Sequence, residues 1–77
     1  MPDVVITGWS KGLETARCIQ LLQSAGGLST AAAARAIERL VHGEVQRVPA
    51  RSDADARLLV AALARLGATA HVASGSS

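Results

Sequence analysis

The residues that could do chemistry are few and stand far apart in the sequence. Cys18 is the only thiol of the 77-residue chain, and His42 and His71 are its only imidazoles. A nucleophilic cysteine needs a base beside it, and a metal site needs several ligands brought together. Because these three residues fall on three different predicted elements, the sequence predicts no catalytic set, no metal site and no cofactor. We therefore expect a protein that is not an enzyme.

A glycine-bracketed segment at residues 8–12, Gly-Trp-Ser-Lys-Gly, lies between a predicted strand and a predicted helix. It does not match a phosphate-binding loop of the Walker type, which has four residues between its glycines and continues Gly-Lys-Ser/Thr. It does hold Trp9, the only member of Phe, Trp and Tyr in the chain. Tryptophan is enriched at binding hot spots, so Trp9 and the nearby Lys11 are candidate partner-binding residues. The alternative is that Trp9 folds back over the helix ends and packs there.

A second candidate surface consists of Arg35 and Arg39, four residues apart on a predicted helix. Two guanidinium groups at this spacing share a face and can hold a carboxylate of a partner. The alternative is an ordinary solvated helix surface. With Arg47 and Arg51, the same residues could also serve a regulatory protein that binds nucleic acid or another anion. The net charge of only +2 and the interspersed acidic residues disfavour nucleic acid as the partner.

Composition predicts a single folded domain over residues 1–77, with an ordered core at about 3–73 and a frayed tail at 74–77. Hydrophobic residues make up 49% of the chain, far more than a disordered segment contains. No apolar run approaches the roughly 18 residues of a membrane span, and the N-terminus lacks the basic start of a secretory signal. A single cysteine cannot form an intrachain disulfide. We expect a cytoplasmic protein with no membrane partner.

Hydrophobic periodicity predicts an α+β fold with the order β-α-α-β-α-β. Three helices should pack on one face of a three-stranded antiparallel sheet. The other face or an edge of the sheet would then remain open, so a homodimer or a larger partner is expected to cover it. Strands are predicted at 3–8, 44–50 and 68–73, and helices at 13–25, from a cap at Ser29 or Thr30 to 42, and from a cap at Ser52 to 66. The predicted helix core is Cys18, Ile19, Leu22, Ala25, Ala33, Ala34, Ile37, Leu40, Val41, Ala56, Leu59, Ala62, Leu63 and Leu66.

Three stretches of this sequence resemble a known family. They are Asp-Val-Val-Ile-Thr-Gly at 3–8, Ala-Ile-Glu-Arg-Leu-Val-His-Gly at 36–43, and the run from Asp55 through Leu-Gly-Ala-Thr-Ala-His-Val. They are similar to the C-terminal domain of the bacterial ribosomal stalk protein of the large subunit. The Clp protease adaptor that delivers substrates by their N-terminal residue resembles this fold too. The resemblance spans roughly residues 3–73 and implies the same α+β fold.

The working residues of these relatives are mostly absent from this chain. In the stalk domain, basic residues on the first two helices contact translational GTPases, and of the matching positions only Lys11 is basic. The adaptor grips an α-amino group with an Asn-Asp-Asp run, where this chain has Thr-Gly-Trp at 7–9. We therefore expect a small protein–protein interaction or adaptor module that binds a protein or peptide through Trp9 and Lys11, Arg35 and Arg39, or both. A stalk descendant still bound to translation is a third hypothesis, which the missing basic residues argue against.

Overall fold

The computed structural model describes residues 2–73 and confirms the predicted α+β fold. Its three-stranded antiparallel sheet has the order β2-β1-β3, so the first strand is central and both later strands are edges. The predicted tail at 74–77 lies outside the described residues. The elements are β1 (Asp3–Trp9), α1 (Thr15–Ser24), α2 (Thr30–Val41), β2 (Gln46–Pro49), α3 (Asp53–Leu66) and β3 (Ala68–Ala73).

The strand register gives the sheet one covered and one open face. Val4 lies between Val48 of β2 and Val72 of β3, and its side chain is fully buried against the helices. The next residue, Val5, lies between Arg47 and His71, both of which are exposed. Successive side chains of a strand point to opposite faces, so the open face carries the polar set. Val5, Thr7, Thr69 and His71 lie on this open face.

Local capping explains where two helices begin. The Ser29 hydroxyl accepts a hydrogen bond from the Ala32 amide at 3.2 Å, and the Ser52 hydroxyl accepts one from the Asp55 amide at 3.1 Å. Both are N-cap bonds that satisfy a free amide of the first turn, and both were predicted. The first helix begins at Thr15, two residues later than predicted. Its N-cap, Glu14, makes no side-chain capping bond and instead donates its backbone amide to the Leu66 carbonyl at 2.9 Å.

The core lies between the sheet and the helices and is entirely aliphatic apart from Cys18. The predicted helix stripes supply its centre, while the outer members of each stripe, including Ile19, Val41 and Leu66, are only half-buried. With one layer of helices, residues at the flank of a stripe stay in reach of water. The buried residues are Val4, Ile6, Cys18, Leu22, Ala33, Ile37, Leu40, Val48, Ala50, Ala56, Leu59, Leu63 and Ala68.

Two predicted strand boundaries are wrong. Trp9 is the last residue of β1, paired with Ala68, and does not belong to the following turn. A register shift between Ile6 and Gly8 lets β1 continue that far. Before the second strand, residues 43 and 44 form the C-terminal cap of α2. The Glu44 amide donates to the Arg39 carbonyl at 3.0 Å, and the Gly43 φ is 92°. This Schellman ending delays β2 to Gln46.

Candidate functional site

A groove of about 220 Å³ runs between α2 and the edge strand β2. It is bordered by Arg35 and Arg39 of α2 and by Arg47 of β2, whose side chain lies on the open face of the sheet beside Val5. The groove is lined by Leu28, Ala32, Arg35, Ala36, Arg39, Gln46, Arg47 and Val48. We call this the α2–β2 groove.

The floor of the α2–β2 groove is apolar because of where the helix and strand place their small and branched residues. Ala32 and Ala36 are one turn apart on α2, on the same side as Arg35 and Arg39. Their methyl groups keep that flank of the helix low, so the half-buried Leu28 is accessible there, whereas Val48 is buried. The groove therefore combines a surface for an aliphatic side chain with a cationic wall on α2.

The charges of the groove are unequally compensated. Within residues 2–73 the ion pairs join Arg17 to Glu14 at 3.4 Å and Arg47 to Asp3 at 3.3 Å. Arg35 and Arg39 take part in neither and are exposed. Arg47 shares its charge with Asp3, whose side chain is 30% exposed. An anionic group entering the groove thus meets the guanidinium groups of Arg35 and Arg39, whereas the Arg47 guanidinium is paired with Asp3 on the open face of the sheet.

The backbone of β2 offers few hydrogen bonds to an incoming strand. The Ala50 amide donates to the Pro2 carbonyl at 3.0 Å, so the backbone groups of residue 50, and by alternation those of 48 and 46, face β1. The backbone groups that face outward are those of Arg47 and Pro49, and proline has no amide hydrogen. Recognition in the α2–β2 groove must therefore depend on side chains more than on strand pairing.

Trp9 and Lys11 lie on another surface. Trp9 ends β1 beside Ala68 and is 43% exposed, so it is neither a fully buried lid nor a fully projecting anchor. Lys11 is exposed in the turn that follows, where the Ser10 amide donates to the Gly67 carbonyl at 2.8 Å. Neither residue lines the α2–β2 groove, so the four candidate residues divide between two surfaces.

The residues that could do chemistry lie on three different elements. Cys18 is on α1, His42 is at the C-terminal end of α2, and His71 is on β3. Cys18 is fully buried, and burial, with a smaller contribution from the negative charge of Glu14, raises the pKa of its thiol. His42 is exposed beyond the end of α2, and His71 is exposed on the open sheet face. Among residues 2–73, no three His, Cys, Asp or Glu side chains come close enough together to hold a metal ion.

Sequence reasoning found two arginines of the α2–β2 groove but missed its floor. Leu28, Ala36 and Val48 carry no polar group and so gave no chemical signal. The one local hint was Ala32 and Ala36 alternating with the arginines at helical spacing. The contribution of β2 depends on long-range packing. Elsewhere, a second depression of about 210 Å³ on α3 is lined by Leu58, Ala61, Ala62 and Arg65.

Among residues 2–73, no helix is both long and apolar enough to span a bilayer. No protein-family model matches the sequence, and no curated protein or solved structure is significantly similar to it. The geometry of the α2–β2 groove and the residue pattern are therefore the basis for inferring a function.

Proposed function

We propose that the protein is a small, non-enzymatic protein–protein interaction module that binds an acidic segment of a partner in the α2–β2 groove. The observation that carries this proposal is that Arg35 and Arg39, both exposed and in neither ion pair, border a groove with an apolar floor. An exposed arginine by itself is an ordinary solvated residue. Two arginines beside a concave aliphatic surface match a ligand that has carboxylates beside an aliphatic side chain.

The chemistry of the groove favours a peptide over other anions. The guanidinium group is planar and can bind a carboxylate through two parallel hydrogen bonds. The half-buried Leu28 and Ala36 provide contact for a leucine, isoleucine or valine of the partner, which a free inorganic anion would leave unused. Few polar groups positioned around an apolar surface are the usual composition of a binding pocket.

Nucleic acid is the second candidate, favoured by one further observation. The Arg51 guanidinium lies 4.0 Å from the place a β-carbon would occupy at Gly27, next to Leu28 of the groove. Arg51 therefore adds a further cation near the Leu28 end of the groove. Against this candidate, Asp3 neutralises part of the Arg47 charge, and the groove has no aromatic side chain on which a base could stack.

The resemblance to the stalk domain supports an interaction role without naming the partner. We propose that the likeness lies in the fold, which presents helices on one side of a small sheet, and that this chain acts in the cytoplasm. Since Lys11 alone retains the charge of the stalk domain's contact positions, we assign partner binding to Arg35 and Arg39 instead. Binding to translational GTPases remains the third hypothesis, and it predicts that Lys11 is essential.

Selection from a random peptide library displayed on phage tests the main proposal. Peptides enriched on the immobilised protein should carry Asp or Glu beside an aliphatic residue. The double variant Arg35→Glu/Arg39→Glu should bind those peptides at least about tenfold more weakly, a change of about 1.4 kcal/mol. Arg57→Glu/Arg65→Glu is the matched control, because it makes the same change in net charge at exposed residues outside the groove.

Two results would overturn the proposal. One is enrichment of peptides that lack acidic residues. The other is equal loss of binding in both double variants, which would mean that only net charge matters. Retention of single-stranded or double-stranded oligonucleotides at low salt, with a steep loss as salt increases, would support the nucleic-acid candidate instead.

A further inference from the structure

The two edges of the sheet are not equivalent. The β2 edge is four residues long, carries Arg47 and contains Pro49. The β3 edge is six residues long, Ala-Thr-Ala-His-Val-Ala, and contains neither a proline nor an Asp, Glu, Lys or Arg. Short length, charge and proline are the features by which proteins prevent edge strands from pairing with other chains. The β2 edge has all three, and β3 has none of them.

The hydrogen bonds at the start of β3 establish which of its backbone groups are free. The Ser10 amide donates to the Gly67 carbonyl at 2.8 Å, so the backbone of Gly67 faces β1. Backbone groups alternate in direction along a strand, so those of Thr69, His71 and Ala73 also face β1. The amides and carbonyls that point away from the sheet are those of Ala68, Ala70 and Val72.

The surroundings of these outward groups leave two of the three residues open to a partner. Ala70 and Val72 are half-buried, and in residues 2–73 neither takes part in a turn, loop or cap hydrogen bond. Ala68 is buried at the start of the strand. Thr69 and His71, between them, are exposed on the open face. The small side chains at this edge leave room for another strand to approach.

We infer that β3 is a dimerisation edge, at which β3 of a second copy of this chain pairs antiparallel about a two-fold axis centred on Ala70. In this register Ala70 pairs with Ala70 of the second copy, and Ala68 pairs with Val72 of the second copy. The outward amide and carbonyl of Ala70 are then satisfied in both copies at once. The product is a continuous six-stranded sheet with a β2 strand at each end.

Self-complementarity is the reason for assigning a second copy to this edge. The outward positions Ala68, Ala70 and Val72 are evenly spaced, so a two-fold rotation about Ala70 maps the set onto itself. The same rotation places Thr69 opposite His71 of the second copy on the open face, which brings no like charges together. The α2–β2 groove lies at the opposite edge of each sheet, so dimerisation leaves it accessible. The inference therefore does not depend on the proposed function.

Sedimentation velocity over a range of protein concentrations measures the association directly. The wild-type chain should sediment as a reversible dimer at high concentration and as a monomer on dilution. A wild-type chain that is monomeric throughout, or whose larger species are higher oligomers without a dimer, would overturn the inference.

Two double variants test the edge and its register. In Thr69→Glu/His71→Glu, carboxylates face each other twice across the two-fold axis, and the dimer should dissociate at least about tenfold more readily. In Thr69→Lys/His71→Glu, each ammonium faces a carboxylate of the second copy, and the dimer should be retained or strengthened. Both residues are exposed, and circular dichroism checks that each variant is folded. Equal dimerisation of both variants, or loss of the dimer in both, would contradict pairing about Ala70.

Discussion

Gly67 lies so close to Leu13 that a β-carbon at position 67 would stand 2.9 Å from the Leu13 α-carbon. The φ of Gly67 is 99°, in the left-handed region, and this residue joins α3 to β3. Its carbonyl also accepts the Ser10 amide hydrogen. The turn between β1 and α1 is therefore held against the C-terminal end of α3.

Substituting this glycine should weaken the fold more than substituting another glycine with the same backbone conformation. Gly67→Ala puts an alanine in the left-handed region and presses its β-carbon against the Leu13 backbone. It should lower the free energy of unfolding by about 2–4 kcal/mol. Gly43→Ala is the matched control: its φ is 92°, but nothing lies within 4 Å of the added β-carbon. Denaturant unfolding should show a loss of only about 1–2 kcal/mol there. Equal losses would show that the contact with Leu13 contributes nothing.

Truncation of the core should separate buried from exposed leucines. Leu22 and Leu63 are fully buried, whereas Leu58 is 66% exposed on α3. Leu22→Ala and Leu63→Ala should each lower the free energy of unfolding by about 2–5 kcal/mol, a large part of the stability of so small a domain. Leu58→Ala should change it by less than about 0.5 kcal/mol. The same denaturant titrations measure all three, and a large loss at Leu58 would contradict the helix orientation.

Cys18 should be unreactive in the folded protein. Burial raises the pKa of its thiol, so folding favours the neutral thiol over the thiolate. The stability associated with this group is fully present below the ordinary thiol pKa and is lost as the pH rises above it, because the unfolded chain releases the proton first. A thiol reagent such as Ellman's reagent should react only as fast as the protein opens. Cys18→Ala should remove this part of the alkaline decline in stability, and rapid labelling at neutral pH would contradict the burial.

Trp9 should report a partly exposed environment. Because 43% of the residue is accessible, its fluorescence should respond to acrylamide, less than free tryptophan but clearly more than a buried residue. A strongly blue-shifted emission that resists quenching would show that the indole packs into the core. Trp9→Ala should leave peptide binding in the α2–β2 groove unchanged, since Trp9 does not line it.

Asp3 should contribute little to ligand binding in the α2–β2 groove, because it pairs with Arg47 on the open face of the sheet. Asp3→Asn removes the carboxylate that lies 3.3 Å from the Arg47 guanidinium. Because the pair is largely exposed, stability should change by no more than about 1 kcal/mol. Affinity for an acidic peptide, measured by fluorescence anisotropy, should stay unchanged. A clear rise in affinity would indicate that the freed Arg47 side chain takes part in binding.

Features with local causes could be predicted from the sequence. The cap at Ser52 needs only the Asp55 amide three residues on, and Gly67 ends α3 by its own backbone conformation. These signals lie within a few residues of the structure they produce, and together they determined the element order and most of the core.

Features that depend on the register between strands could not be predicted in the same way. The contribution of β2 to the groove follows from its pairing with β1 and from the packing of α2 over that strand. Trp9 belongs to β1, which contains a register shift that no local motif predicts. Sequence spacing therefore predicted the α2 side of the candidate site, whereas the β2 side follows only from the tertiary fold.

Nuclear magnetic resonance titration of the isotope-labelled protein tests the central claim most directly. The probe is a short synthetic peptide in which Asp and Leu alternate, compared with the same peptide carrying Asn in place of Asp. With the acidic peptide, amide shifts should concentrate at Leu28, Ala36, Arg39 and Val48, and should nearly vanish with the Asn peptide or in Arg35→Glu/Arg39→Glu. Shifts centred on Trp9 and Lys11, or equal responses to both peptides, would contradict the assignment of the α2–β2 groove as the binding site.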